Sequence, residues 1–259
     1  ARAHPGVKTV ITGYDVPPVK WGTGYQGADQ NTLALEKVRH VGDAVAAVAA
    51  IDEETAEEAL SLIRVEYEPL PVLLDPLESI KPGATRIHED RENNIADKVF
   101  KSFGDADRGF RESDYVREDT FTTPAHNHAA LEPHASIGLW HDDGNVTLWA
   151  TCQAPFIIRR CLVKPLGIAE DKIHVIRSEV GGGFGGKMET FSHQVISAFL
   201  SKLSGKPVKI ILSREEVFIS TRQRQPTIIK LRTGVKKDGT LVSQDVNFMV
   251  DCGAYKGLG

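Results

Sequence analysis

Two apolar rhythms alternate along the chain. An early strand is expected near Lys8 to Thr12. Val41 to Ile51 is a run of small apolar residues, the pattern of a strand buried on both faces. Asp52 then caps a helix with an acidic first turn, Glu53 and Glu54. Ala56, Ala59, Leu60 and Ile63 recur at i, i+3, i+4 and i+7 and give that helix one apolar stripe. Arg64 to Glu68 resumes strand character before Pro69 and Pro71 stop it, completing a strand–helix–strand unit. Residues 81–107 are polar and charged, punctuated by Asn93-Asn94 and Gly104, and read as a surface connection with short helical pieces at most.

A second unit begins near Asp114. Ala135–Trp140 and Val146–Thr151 flank His141-Asp142-Asp143-Gly144-Asn145, a hairpin signal. Further on the pattern predicts a helix over 156–163, a strand over 173–178, a helix over 189–203 and a strand over 208–212. A last hairpin joins Ile228–Val235 to Leu241–Val250 around Lys237-Asp238-Gly239-Thr240. The fold class expected is α+β in two units, divided as 1–80, a linker over 81–113, and 114–259.

Composition narrows the function. Of 259 residues, 41% are hydrophobic and 25% charged, and 31 basic against 35 acidic side chains leave a net charge of -4. That balance advertises no nucleic-acid partner and no disorder. The longest uncharged apolar run, Ala44 to Ile51, falls far short of the ~20 residues of a membrane span. Cys152, Cys161 and Cys252 are too few and too widely spaced for a disulfide framework, a CxxC zinc pair or an iron–sulfur run, which suits a cytoplasmic chain with reduced thiols. The chain opens on Ala1 and closes directly after a strand-like run, so it is expected to be a piece of something longer.

Gly181-Gly182-Gly183-Phe184-Gly185-Gly186-Lys187, between a predicted strand and a predicted helix, carries the most chemistry. Glycines let backbone N–H groups approach a ligand closely, and a helix N-terminus behind them favours an anion. As GxxxxGK the loop nearly makes a phosphate cradle, but Met188 stands where Ser or Thr would hold magnesium. As GxGxxG it lacks the acidic residue expected near position 206. Phe184 inside the loop suits a bulky planar or metal-bearing cofactor better.

These residues, with Thr151-Cys152-Gln153-Ala154-Pro155 and His128-Ala129-Ala130-Leu131-Glu132-Pro133, resemble the molybdenum-cofactor subunit of the xanthine dehydrogenase and aldehyde oxidase family. The N-terminal unit resembles that family's α/β-hammerhead domain through Val38-Arg39-His40-Val41-Gly42-Asp43 and Val65-Glu66-Tyr67-Glu68-Pro69-Leu70-Pro71. Within the family, Asn127-His128, the stretch from Asp43 to Pro71 and Arg222-Gln223-Arg224 lean towards the 4-hydroxybenzoyl-CoA reductase type. The fold implied is a partial hammerhead, its opening strands missing, followed by the first part of a molybdopterin-binding domain.

The resemblance implies a molybdenum ion on a molybdopterin, in the cytosine dinucleotide form common in bacteria, reacting with an aromatic or heteroaromatic substrate with oxygen exchanged through water. It implies partner subunits carrying iron–sulfur clusters and FAD, assembled as a dimer of heterotrimers. By position, Gln153 resembles the glutamine contacting the pterin, and Gly182, Gly183, Phe184 and Gly185 the loop beside the metal. The N–H groups of Gly183 to Gly185 would face an oxo or sulfido ligand. Met188 and Glu189 would face substrate, and no side chain here would ligate the metal directly. The catalytic base, a glutamate in the family, is expected beyond Gly259. Two departures stand out. His126 replaces the glutamine that many purine- and aldehyde-oxidising members place there, and Met188 replaces a glutamate of xanthine-oxidising members. Two readings of other classes remain: a zinc hydrolase using His126 and His128, with Glu132 and His134 nearby, or a non-catalytic assembly module.

Overall fold

A computed structural model of the protein describes residues 1–23, 28–91 and 93–257. Nine strands and six α-helices are defined among them. The strands form a two-stranded, a three-stranded and a four-stranded sheet.

In the two-stranded sheet, β1 (Val7–Thr12) pairs antiparallel with β2 (Ala46–Ala50). The strand expected over 41–51 is shorter and less buried than a doubly covered strand. Only Ala49 in it is buried, and Val41 is 88% exposed. With only two strands in this sheet, β2 is an edge strand whose unpaired side is left without a neighbouring ladder. Helix α1 (Glu53–Ser61) follows as expected, the Asp52 carboxylate accepting from Thr55 N–H at 2.9 Å. Arg64 to Glu68 forms no strand, so strand–helix–strand is corrected to strand–helix. Its β-forming residues meet no neighbouring ladder, and Val65 and Tyr67 stay exposed.

The four-stranded sheet has the order β6-β5-β4-β7: Ile173–Arg177, Val146–Ala150, Ala135–Trp140 and Val208–Ile211. β5 runs parallel to β6, and the other pairs are antiparallel. Helix α4 (Pro155–Leu166) turns Ile158, Leu162 and Leu166 inward and ends on Gly167, whose φ of 67° forms a left-handed cap. Helix α5 (Ser192–Ser204) is buried without a break from His193 to Ser201. Its closeness to β4 depends on Gly138, where a Cβ would lie 2.5 Å from the carbonyl carbon of Ser197. Ser201 Oγ accepts from Trp140 N–H at 2.9 Å across the same contact. Val195, Ala198 and Leu200 join Val146, Leu148, Ile158 and Leu162 in the core, each large side chain contributing about 1.5–3 kcal/mol.

The third sheet, β3-β8-β9, comprises Tyr115–Thr123, Thr227–Val235 and Leu241–Val250. The β8–β9 hairpin is the one expected, whereas β3 has no counterpart in the sequence pattern. Helices α2 (Pro76–Ser79) and α3 (Ala106–Arg111) are short, and α3 packs on β9 with Ser243 Oγ donating to Ala106 O at 2.9 Å. Helix α6 (Arg214–Ser220), also unforeseen, starts on a capping box between Ser213 and Glu216.

Compactness divides the chain otherwise than at 80 and 113. One unit gathers residues 1–68, 127–223 and 254 onward, and the other gathers 69–126 and 224–253. No helix among the described residues is long and apolar enough to cross a membrane.

Candidate functional site

The glycine loop leaves β6 and does not run straight into a helix. Helix α5 begins at Ser192, five residues after Lys187, so no helix N-terminus stands directly behind the glycines as expected. Tight turns occupy the interval: Gly186 N–H donates to Gly183 O at 2.7 Å and Met188 N–H to Gly185 O at 3.3 Å. Gly182 and Gly185 take φ of 102° and 92°, conformations that glycine adopts without steric cost. Phe184, with φ of 52°, is one of two described non-glycine residues at positive φ, and its ring is 75% exposed. A bulky residue held there stores strain, a common mark of functional loops.

Gln153 organises the second half of the loop. Its Oε1 accepts from Gly185 N–H at 3.0 Å and from Lys187 N–H at 3.1 Å, while Gln153 N–H donates to Lys187 O at 2.8 Å. Two N–H donors on one end of the amide identify that end as oxygen. The other end is then the Nε2 amide, on a residue that is exposed. Gly183 passes so close that a Cβ would lie 2.5 Å from Gln153 Cδ. Gly185, expected to present its N–H to a ligand, spends it on Gln153. The N–H groups left without a protein partner among the described residues are those of Gly182, Gly183 and Phe184.

Beneath the loop, His134 Nε2 donates to Gly186 O at 3.0 Å, and burial pushes its imidazole down, so it is neutral. Burial pushes the neighbouring His193 down to about 3. Lys187 is wholly buried and pairs with Glu132 at 2.5 Å. The zinc arrangement does not form. Glu132 serves Lys187, His134 serves Gly186, and among the described residues no three His, Cys, Asp or Glu side chains gather as metal ligands.

Met188 is 38% exposed beside the loop, whereas Glu189 is buried against Arg222, Nε to Oε2 at 2.9 Å. Glu189 and Arg222 line a cavity of about 90 Å³ that also takes in Asp43, Thr190 and Tyr255 but none of the loop glycines. Burial would raise the Asp43 carboxyl, but hydrogen bonds from His40 and Arg39 N–H hold it below its ordinary value. Burial, with Asp43 beside it, pushes the Tyr255 phenol up. Sequence reasoning missed Glu132 and Lys187 as partners. The signal available was one carboxylate in Leu131-Glu132-Pro133, 55 residues from the lysine it meets.

Residues 87–259 match the family model described as "Molybdopterin cofactor-binding domain", and residues 1–71 match "Aldehyde oxidase and xanthine dehydrogenase, a/b hammerhead domain". The chain belongs to the xanthine dehydrogenase family of molybdenum-binding subunits. It is 41% identical over its whole length to a probable xanthine dehydrogenase subunit of Bacillus subtilis (strain 168), covering 34% of that protein. It is 35% identical over its whole length to "Nicotinate dehydrogenase large molybdopterin subunit" of Eubacterium barkeri, covering 60% of it. Among solved structures, reconstituted CO dehydrogenase from Oligotropha carboxidovorans superposes with a TM-score of 0.86 at 32% identity, over 95% of this chain and 33% of that one. The chain thus spans about a third of the Bacillus protein's length and three-fifths of the Eubacterium one's. The expected pairing of a hammerhead domain with a molybdopterin-binding domain, of mixed helix and strand content, is supported by family and fold.

Proposed function

We propose that this chain supplies the loop side of the cofactor site in a molybdenum hydroxylase. The observation that carries the reading is the run of three consecutive uncommitted N–H groups, Gly182 to Phe184, beside the exposed Gln153. These donors suit a group that is anionic at one edge and rich in acceptors along another, as a molybdopterin is. Gln153 Nε2 would donate to the pterin, the Gly182, Gly183 and Phe184 N–H groups would face its anionic oxygens, and the exposed Phe184 ring would shield that face from water. When bound, the cofactor supplies two-electron redox chemistry at a substrate carbon, with water as the oxygen source. The net reaction balances as Ar–H plus water giving Ar–OH, two electrons and two protons.

The substrate class proposed is an aromatic or heteroaromatic ring. Met188 offers a polarisable apolar surface where a carboxylate would be needed to pair a purine N–H. Glu189 does not replace that carboxylate, being buried on Arg222. The nicotinate dehydrogenase among the relatives supports a nitrogen heteroaromatic. A hydroxybenzoyl thioester has no comparable support. The Bacillus relative's name favours purines as a second reading. The cofactor's cytosine dinucleotide form, iron–sulfur and FAD partner subunits, a dimer of heterotrimers and a cytoplasmic setting belong to the same proposal.

The full-length subunit purified with its partners tests it. Molybdenum, and pterin released on denaturation, are expected together. Turnover of nicotinate in ¹⁸O-labelled water is expected to label the product and to exceed turnover of xanthine. A preparation without molybdenum and pterin would sink the reading, and faster xanthine oxidation would move the substrate to purines.

A further inference from the structure

Glu132 stands where the two ends of the glycine loop meet. Its Oε2 accepts from Gly181 N–H at 2.9 Å and from Lys187 Nζ at 2.5 Å, and its own N–H donates to Gly181 O at 3.1 Å. Gly181 and Lys187 are the first and last residues of the loop, so one carboxylate ties both ends. Lys187 has no exposed side-chain surface, whereas Glu132 retains 30%. The approach needs Gly181, because a Cβ there would lie 2.7 Å from Glu132 Cβ. The segment bearing Glu132 is itself anchored: Arg214 Nη2 donates to Ala130 O and Leu131 O, each at 2.8 Å.

We infer that Glu132 and Lys187 form an ionic clasp that positions the loop for the cofactor. The inference rests on the proposed function. Gln153 fixes only the second half of the loop, through Gly185 and Lys187. Glu132 fixes its beginning. The three uncommitted N–H groups lie between those anchors, on a backbone whose glycines give it wide conformational freedom. Anion binding by backbone donors requires that they point together before the ligand arrives. Without the clasp, cofactor binding would have to order the segment at its own cost. Neither residue touches the reacting atoms; both are positioning residues.

The test uses the full-length protein in its complex, as Glu132→Gln and as the double variant Glu132→Gln/Lys187→Met. The double variant removes the buried charge that the single one leaves without its carboxylate, which protects the fold. Two quantities are read: hydrogen exchange of the amides of residues 179–188 in cofactor-free protein, and the rate of pterin release from loaded complex. The double variant is expected to melt as the wild type does yet to exchange and release about tenfold faster. Wild-type exchange and release in that variant would overturn the clasp. So would release that rises only in proportion to lost melting temperature in both variants, since that is what a merely structural pair would give. A wild-type complex without pterin would defeat the proposed function instead, and the exchange measurement would still decide the clasp.

Discussion

Replacing Gly183 by alanine challenges the loop geometry directly. The new Cβ would lie 2.5 Å from Gln153 Cδ and 2.6 Å from its Oε1. Carbon atoms settle about 3.5–4.0 Å apart, so the side chain or the loop must yield by about 1 Å. Gly183 is not in the left-handed region, so the cost comes from contact and not from dihedral strain. A displacement of that size breaks the bonds from Gly185 N–H and Lys187 N–H to Oε1. Two bonds at about 0.5–1.5 kcal/mol each, with about 1–3 kcal/mol of overpacking, give about 2–6 kcal/mol. Confined to the loop, the lower figure already means about thirtyfold weaker cofactor retention. Gln153→Ala removes the three atoms nearest the new Cβ, Gln153 Cδ, Oε1 and Cγ. In that background Gly183→Ala is expected to cost under about 1 kcal/mol, a strong coupling between the two positions. Pterin-release rates and urea unfolding on the four members of the cycle measure it. An equal cost in both backgrounds would refute the close approach.

Acid should destabilise the protein through His193. An unfolded histidine titrates near 6.5, whereas burial lowers His193 to about 3, so between those values the unfolded chain binds a proton the folded one refuses. Stability then falls with pH by up to about 1.4 kcal/mol per unit, or about 2 kcal/mol from pH 6.5 to 5. Urea unfolding of wild type and His193→Leu at those two pH values is expected to show a smaller fall in the variant, and equal falls would count against it. Gly138→Ala would press a Cβ to 2.5 Å from the Ser197 backbone and is expected to cost about 1–3 kcal/mol or more. An unchanged thermal midpoint would mean that α5 does not seat on β4 as described.

Elements with local signals are legible in the sequence. The β4–β5 and β8–β9 hairpins carry their turns in Asp142-Asp143-Gly144-Asn145 and Lys237-Asp238-Gly239-Thr240, and α1 carries its cap in Asp52. What depends on distant partners is not. β3 has Arg117-Glu118-Asp119-Thr120 at its centre, so neither face is continuously apolar, and it becomes a strand through its ladder to β8. Arg64 to Glu68 has the residues of a strand but no ladder to join. Within the loop, Gly183 and Gln153 each stand out in the sequence, yet their mutual contact does not. That contact reverses the part played by Gly185 and leaves the free donors one residue earlier than expected.

The partnership of β3 with β8 also shapes how the chain must be made. Thr123 meets Thr227, 104 residues later, and every rung of that ladder spans a similar interval. At ~5–20 residues per second of synthesis, β3 emerges roughly 5–20 s before its neighbour exists. An unpaired strand that waits so long invites pairing with other nascent chains. Charged residues such as Arg117-Glu118-Asp119 at its centre disfavour such pairing; in the folded protein Arg117 and Asp119 pair with each other at 2.8 Å. The polarity that hid the strand from its sequence pattern is thus the same property expected to keep it single on the ribosome.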